Sequence, residues 1–304
     1  MATGVTGRKH RLGRVIGSSI VACVCTNRPR AAVAPCLDAL RAQGARVLVV
    51  ASGGPAPDAD AFGPGVAVVH EPRPGLSRAR NRALAECSDD DVLAFVDDDA
   101  LVGAGWHAAL SAAWDQAEPT VACIGGPIRP RFEAPRPAWL SDRLLPVLTT
   151  LDHGPVARDL DPFVTTVYGA NVSFRTGPLR DVGGFEPGLG HGGRPTGFGE
   201  EDEAERALAR AGFVVRYEPG PWVEHTIPAQ RTRRAAFLRR RFAYGAGLGA
   251  RGGRAPARAA RQLASSAAGA PLAALRGDAA LTMERATRAA ENAGVLLAPV
   301  LARR

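Results

Sequence analysis

The sequence predicts an α/β protein: a doubly wound, mostly parallel sheet with flanking helices, followed by a helical C-terminal extension. Three observations lead there. Short apolar runs rich in β-branched residues alternate with helical stretches through the first third of the chain. Those runs are continuously apolar and stop at turn residues, as strands buried on both faces do. From Gln230 onward arginine and alanine dominate and strand signals cease.

The first run, residues 20–25, is stopped by Asn27 and Pro29 and reads as a buried strand. A helix over 31–43 follows, with Val33, Leu37 and Leu40 on one face and Gly44 as its cap. Strands are expected at 47–50 and 66–70, a helix at 77–86, and a strand at 92–96 running straight into Asp97-Asp98-Asp99. Residues 106–114 have helical spacing. Ligands of such sheets bind beyond the carboxyl ends of the strands, so Asn27, Ser52 and Asp97 to Asp99 fall on one rim. The proline-rich stretch 127–165 reads as loops over that rim, and the glycine-rich stretch 182–199 as a mobile flap. A helix at 201–211 and a strand at 213–217 come next. Beyond 230 the chain is helical, with Gly245, Gly247, Gly249, Gly252 and Gly253 expected to break it in two. The organisation is thus a disordered basic tail at 1–14, a sheet domain at 15–229 and a helical region at 230–304.

Composition narrows the class. With 304 residues, 46% hydrophobic and 22% charged, the chain is an ordinary globular protein large enough for a sizeable core. Its five cysteines form no CxxC pair, which argues against a zinc ribbon or a disulfide scaffold and fits a reduced, cytoplasmic protein. The net charge of +8 is almost entirely arginine, Lys9 being the single lysine, and follows no nucleic-acid-binding module, so no nucleic-acid partner is expected. Arg8, Lys9, Arg11 and Arg14 before an apolar stretch imitate a signal peptide, but Gly17, Ser18 and Ser19 interrupt it and a buried first strand explains it better. No G-x-G-x-x-G follows that strand, which disfavours a dinucleotide-dependent oxidoreductase.

Three adjacent carboxylates at the end of a buried strand repel one another and resist desolvation unless something compensates. A divalent cation of the Mg²⁺ or Mn²⁺ type is the usual compensation, and such ions also favour phosphate oxygens. A solvated acidic turn is the plain alternative; the preceding Val-Leu-Ala-Phe-Val run, which fixes the turn at the ligand-binding edge, tips the balance.

Several blocks, taken in order, resemble the inverting glycosyltransferase family 2 of bacterial type, which has the GT-A fold. They are Cys25-Thr26-Asn27-Arg28, Pro74-Gly75-Leu76-Ser77-Arg78-Ala79-Arg80-Asn81, Phe95-Val96-Asp97-Asp98-Asp99 with Gly105-Trp106, and Tyr168-Gly169-Ala170-Asn171. Val182-Gly183-Gly184-Phe185, Gly199-Glu200-Glu201-Asp202, and Tyr217-Glu218-Pro219 through His225 complete the series. The resemblance spans about 18–245 and implies a nucleotide-sugar donor and a glycan, lipid-linked or small-molecule acceptor. It implies donor contacts at Thr26, Asn27, Arg28, Ser52, Gly75, Arg80, Asn81, Asp97, Asp98 and Asn171. A metal would be held by Asp97, Asp99 and His225. The general base falls at Glu201 or Asp202: counting back from Arg210-Ala211-Gly212 favours Glu201, the commoner Glu-Asp spelling favours Asp202, and Glu201 is preferred. The family's usual uracil-binding aspartate is replaced by Ala51, which leaves the nucleotide open and leaves room for a non-catalytic sugar-nucleotide or lipid-binding relative. A sugar nucleotidyltransferase would require a lysine-bearing glycine loop that is missing here.

The arginines at 231, 233, 234, 239, 240 and 241 surround Phe237, Leu238 and Phe242. A helix of this kind either packs its apolar face on the sheet domain with its arginines solvated, or lies on an anionic membrane surface as a peripheral contact at its inner face. The stretch from His225 to Pro228, leading to Arg231 and on into this arginine-rich helix, also resembles a downstream segment of some bacterial family members, one that would close over the diphosphate or receive a lipid-linked acceptor.

Overall fold

A computed structural model describes residues 19–190, 199–252 and 255–301. The expected tail at 1–14 lies outside the described residues, as does 191–198 of the expected flap. In chain order the strands are β1 (Ile20–Thr26), β2 (Arg46–Ser52), β3 (Val66–Glu71), β4 (Val92–Val96), β5 (Ala100–Val102), β6 (Val121–Gly125), β7 (Ile128–Phe132), β8 (Arg158–Leu160), β9 (Asn171–Arg175), β10 (Val214–Tyr217) and β11 (Val223–Ile227). The helices are α1 (Arg30–Ala42), α2 (Leu76–Glu86), α3 (Trp106–Gln116), α4 (Thr176–Asp181), α5 (Glu200–Arg210), α6 (Arg234–Ala250), α7 (Pro256–Leu275) and α8 (Ala279–Leu301). Short 3₁₀ turns occupy Asp142–Leu148 and Ala229–Thr232.

Eight strands form one sheet in the order β3-β2-β1-β4-β9-β6-β10-β8. Pairing is parallel except where β9 runs antiparallel to both β4 and β6, and where β8 runs antiparallel to β10. A second sheet, β5-β11-β7, lies beyond it. The five residues of β4 and the five of β6 are all buried, which is why they read as unbroken apolar runs. β1 pairs with β2 on one side and with β4 on the other, so the strand order reverses at β1. That reversal opens a crevice past the ends of β1 and β4, where Thr26 and Asp97 to Asp99 stand.

The expectation for 127–165 needs correction. This stretch holds β7, a 3₁₀ turn and β8 rather than loops alone. Its prolines are compatible with that, because Pro130 lies in a strand at the border of the small sheet and Pro146 in a 3₁₀ turn. The glycines at 245, 247 and 249 do not break the C-terminal region either: α6 runs through all three to Ala250, and α7 begins at Pro256. They permit close approach. A methyl group on Gly245 would stand 2.0 Å from the Glu291 carbonyl oxygen, one on Gly249 2.5 Å from that of Val295, and one on Gly294 2.1 Å from that of Phe242. Backbone-to-backbone contact between α6 and α8 thus overrides the poor helix propensity of glycine.

The helical region is not a separate body. Phe237 of α6 and Met283 of α8 share a small core with Trp139, Leu140, Leu144, Leu148 and Ile227. Trp139 meets Phe237 edge-on at 5.2 Å. Of the two readings offered for the arginine-rich helix, its apolar side packing inward agrees with the structure; its arginines are divided, Arg233, Arg234 and Arg239 being exposed while Arg240 and Arg241 are half-buried. Among the described residues, no helix is long and apolar enough to cross a membrane.

Overpacking a contact this close costs roughly 1–3 kcal/mol. Gly245→Ala is therefore expected to lower the thermal midpoint followed by circular dichroism, while Gly44→Ala, with nothing within 4 Å of an added methyl, tests backbone strain alone at φ +70.

Candidate active site

Asp97, Asp98 and Asp99 leave β4 in a turn closed by the Ala100 N–H donating to the Asp97 carbonyl at 3.0 Å. The three side chains have different surroundings. Asp98 faces β1: the Thr26 hydroxyl donates to its Oδ2 at 2.5 Å, and Arg28 Nη1 lies 3.3 Å from its Oδ1. Asp99 faces β11, with His225 Nε2 at 3.2 Å from Oδ1 and Arg231 Nη2 at 3.6 Å from Oδ2. Burial alone would raise the Asp99 carboxyl, but the His225 hydrogen bond and the charges of His225, Arg231 and Arg28 hold it below its ordinary value. Asp97 goes the other way, pushed up by burial and by Asp99 and Glu201 against the opposing charges of Arg80 and His225.

Asp97, Asp99 and His225 each offer one ligand atom, all within 4.8 Å of one another. His225 is 2% exposed and its Nδ1 is buried without a hydrogen-bond partner. Two carboxylates and an imidazole with spare capacity form a donor set that accepts a divalent cation, so the residues fit the metal the sequence implies.

Across the crevice, Gly199 in the left-handed region (φ 82) starts α5, and four acids crowd its first turn. A helix N-terminus favours negative charge, but not without limit. Glu200 is 3% exposed and is pushed up to about 8 by burial and by Glu201; Asp202 is pushed up to about 6 by burial and again by Glu201. Glu205, fully buried one turn later, is raised further by burial and its acidic neighbours. Arg80 answers this charge from α2. Its side chain is 2% exposed, with Nη1 at 3.0 Å from Glu200 and 3.7 Å from Glu201, and its guanidinium lies over the rings of Phe95 and Phe185 at 5.2 and 5.4 Å. Gly169 makes room for it, since a methyl there would stand 2.1 Å from Arg80 Nη2.

The two acidic groups open on one cleft of about 630 Å³. Thr26, Asn27, Ser52, Gly75, Arg80, Asp97, Asp98, Asp99, Glu201, Asp202 and His225 all line it, so the structure brings most of the expected site residues together. Arg28 reaches it only through Asp98. Two expected donor contacts lie elsewhere. Asn81 exchanges both amide hydrogen bonds with the backbone of Phe185, at 2.7 and 2.8 Å. Asn171 is buried at 4% exposure, accepts from Trp106 Nε1 at 3.0 Å and donates to the carbonyls of Pro127 and Pro221. Both amides are satisfied by protein, which is why neither faces the cleft. Sequence reasoning missed Arg143, Arg206, Thr166 and Tyr244, which do face it; Arg240 and Arg241, from the arginine-rich helix that the resemblance set over a diphosphate or an acceptor, line it as well. Arg240 is anchored by Val147 O at 3.0 Å and Thr149 Oγ1 at 3.2 Å. The sequence held no local signal for Arg143 and Arg206, since arginine on a helical stretch reads as a solvated face.

A sheet crevice with an Asp-x-Asp turn, a facing acidic helix and basic walls is the arrangement of a GT-A glycosyltransferase. Residues 19–183 match glycosyl transferase family 2, and the chain belongs to that family. It is 29% identical over 183 residues to the succinoglycan biosynthesis protein ExoM of Rhizobium meliloti, covering 58% of this chain and 53% of that protein. It is 26% identical over 159 residues to the glucosyl-dolichyl phosphate glucuronosyltransferase of Haloferax volcanii, covering 52% and 50%. The chain thus spans about half the length of these curated relatives. Among solved structures, a mannosyltransferase from Pyrobaculum calidifontis, in complex with GDP-mannose and Mn²⁺, superposes with a TM-score of 0.59 at 19% identity, covering 93% of this chain and 86% of that one. GalNAc-T7, with UDP, GalNAc and Mn²⁺, superposes at 0.50 and 14% identity, covering 78% and 51%. These likenesses establish the GT-A fold.

The raised acids set a pH dependence. Glu200 and Asp202 have folded values above their ordinary ones of 4.5 and 3.8, so the folded chain keeps protons that the unfolded chain has released. Stability therefore falls as pH rises, up to about 6 for Asp202 and about 8 for Glu200. In metal-free protein the melting temperature is expected to drop over that range, and Glu200→Gln to flatten the part above about pH 6. An unchanged slope in the variant would place the proton elsewhere.

Proposed function

We propose that the protein is an inverting glycosyltransferase that moves a sugar from a nucleoside-diphosphate donor to an acceptor hydroxyl, with Glu201 as general base. The observation that carries this reading is that a metal-ligand trio and the acidic start of α5 open on the same cleft. The catalytic unit is taken as 15–229, with 230–304 contributing one wall.

Thr26, Asn27, Ser52 and Gly75 receive the nucleoside at the ends of β1 and β2. Ala51 stands where a uracil-binding aspartate is usual in the family, so the nucleobase is met by Ser52 and Asn27 rather than by a carboxylate. Asp98 is held by Thr26 and orients the turn. Asp97, Asp99 and His225 would hold a Mn²⁺ or Mg²⁺ ion, which when bound supplies positive charge against the leaving nucleoside diphosphate. Arg231, beside Asp99, adds a fixed guanidinium on that side.

In the transfer, the acceptor oxygen bonds to the anomeric carbon as the bond from that carbon to the diphosphate oxygen breaks on the opposite face. The acceptor proton passes to a carboxylate. Glu201 suits this better than Asp202. Its Oε1 accepts the Gly169 N–H at 3.3 Å, while Oε2 has no hydrogen-bond partner and lies 3.7 Å from Arg80 Nη1. Asp202 accepts the Thr166 hydroxyl at 2.8 Å and sits 4.0 Å from Arg206, which makes it a positioning group for the 166–169 segment. Arg80 holds Glu201 in place from below, its Nη1 3.7 Å from Oε2.

Two measurements test this. Nucleoside diphosphates should raise the melting temperature only with Mn²⁺ present, by about 2.7 kcal/mol at ~100 times the dissociation constant, and Asp97→Ala or Asp99→Ala should abolish the shift. Glu201→Gln should lower turnover by roughly 10²–10⁴ with the nucleotide shift retained, and Asp202→Asn should lower it less. Full activity in both variants, or retention of anomeric configuration in the product, would sink the assignment.

A further inference from the structure

A second cavity, of about 430 Å³, lies among the three C-terminal helices. Its wall is made by Arg241 of α6, by four residues of α7 between 261 and 266, and by three of α8 between 288 and 292. Arg241 also lines the cleft, so it forms part of the wall between the two spaces. The frame of the cavity is fixed on two sides. One turn after Arg241, Gly245 packs against the Glu291 carbonyl so closely that a methyl group would stand 2.0 Å from it. Arg285 donates to the Gly269 carbonyl and ties α8 to α7. A space held open in this way is formed before any ligand arrives, and little has to be ordered on binding.

Its chemistry differs from that of an ordinary seam between helices, which is filled by apolar side chains. Every side chain lining it is polar. Some of these groups serve the protein itself: Glu291, the one carboxylate of the wall, pairs with Arg241, and Asn292 donates to the Arg288 carbonyl at 2.7 Å. Others have capacity to spare. Ser266 is only 8% exposed, yet its hydroxyl has no hydrogen-bond partner among the described residues. Buried hydroxyls are ordinarily satisfied, so this one points to a group that comes from outside. Arg261 has neither an ion pair nor a hydrogen bond among the described residues, and Arg288 is solvated, with Glu284 no nearer than 4.0 Å. With Glu291 matched to Arg241, the wall is left with positive charge beside hydroxyl and amide groups. It holds nothing apolar or aromatic on which a nucleobase or an acyl chain would rest. Its volume suits one small molecule. A guanidinium calls for an anionic group, and Ser265, Ser266 and Gln262 call for hydroxyls.

We infer that this cavity is a second ligand site, one that takes a small hydroxyl-rich anion of the sugar-monophosphate kind. Arg261 meets the anionic group and Ser266 a sugar hydroxyl. The site uses neither the metal trio nor Glu201, so it stands apart from the transferase reading of the cleft.

The full chain, freed of divalent metal, is to be titrated calorimetrically with glucose 6-phosphate, with glucose and with inorganic phosphate. Glucose 6-phosphate should bind one equivalent, glucose should give no heat, and phosphate should bind at least about tenfold more weakly. Arg261→Ala should weaken the sugar phosphate about tenfold and Ser266→Ala about fivefold. Both variants should keep the circular dichroism spectrum and melting temperature of the ligand-free protein. Arg206→Ala, which alters the cleft alone, should leave this binding as it is. No binding of glucose 6-phosphate, equal affinity for phosphate, unaltered binding by Arg261→Ala, or loss of binding in Arg206→Ala overturns the inference. Failure of nucleoside diphosphates to stabilise the protein with Mn²⁺ would overturn the donor reading and leave this result standing.

Discussion

Arg80 is a guanidinium almost without access to water, and three carboxylates from two distant parts of the chain depend on it. Moving such a cation out of water costs several kcal/mol unless its partners are well placed. Here they are: Glu200 and Glu201 from α5 on one side, the β4 turn through Asp97 on another, and the faces of Phe95 and Phe185 beneath. The contact with Gly169 ties in the segment that α5 also grips through Asp202 and Glu205. Proposed metal site and proposed base thus share one buried positive charge. One guanidinium does not neutralise all of these acids, and burial pushes Asp97 and Glu200 upward.

The second constraint comes from outside the segment matched to the family. Residues 19–183 supply β1, β4 and the aspartate turn, but His225, Arg231, Arg240, Arg241 and Tyr244 come later. His225 is placed by β11, which pairs with β5 directly after the aspartate turn, whereas Arg240, Arg241 and Tyr244 are brought in by the small core in which Phe237 meets Trp139. The donor side of the cleft is therefore built from strand ends, whereas the opposite wall is built from a helix that packs on a 3₁₀ turn.

These origins explain what could be read from sequence. The first four parallel strands and the helices between them were legible because each is short, apolar and closed by a turn residue. β9 was not: Asn171–Arg175 pairs antiparallel between strands far away in sequence, and five residues carry too little pattern to announce that. The aspartates and the acids of α5 were legible because unpaired carboxylates beside apolar runs demand an explanation. Asn81 and Asn171 misled for the opposite reason. An amide that satisfies backbone carbonyls and one that greets a ligand look the same in sequence. Which arginines of α6 turn inward was beyond reach because their direction is set by Phe237, and the role of glycines 245 to 249 because their partner is α8 rather than their own helix.

Those glycines carry a mechanical consequence. With no side chains between them, α6 and α8 mesh backbone to backbone, and neither can slide along the other by even one residue, ~1.5 Å, without collision. Arg240 and Arg241 lie on the same helix just ahead of Gly245, so their height above the acids of α5 is keyed to that mesh. α8 lines no part of the cleft, yet it sets where the basic wall stands. A lineage could thus retune the spacing across the cleft through substitutions on a helix that never meets what the cleft holds.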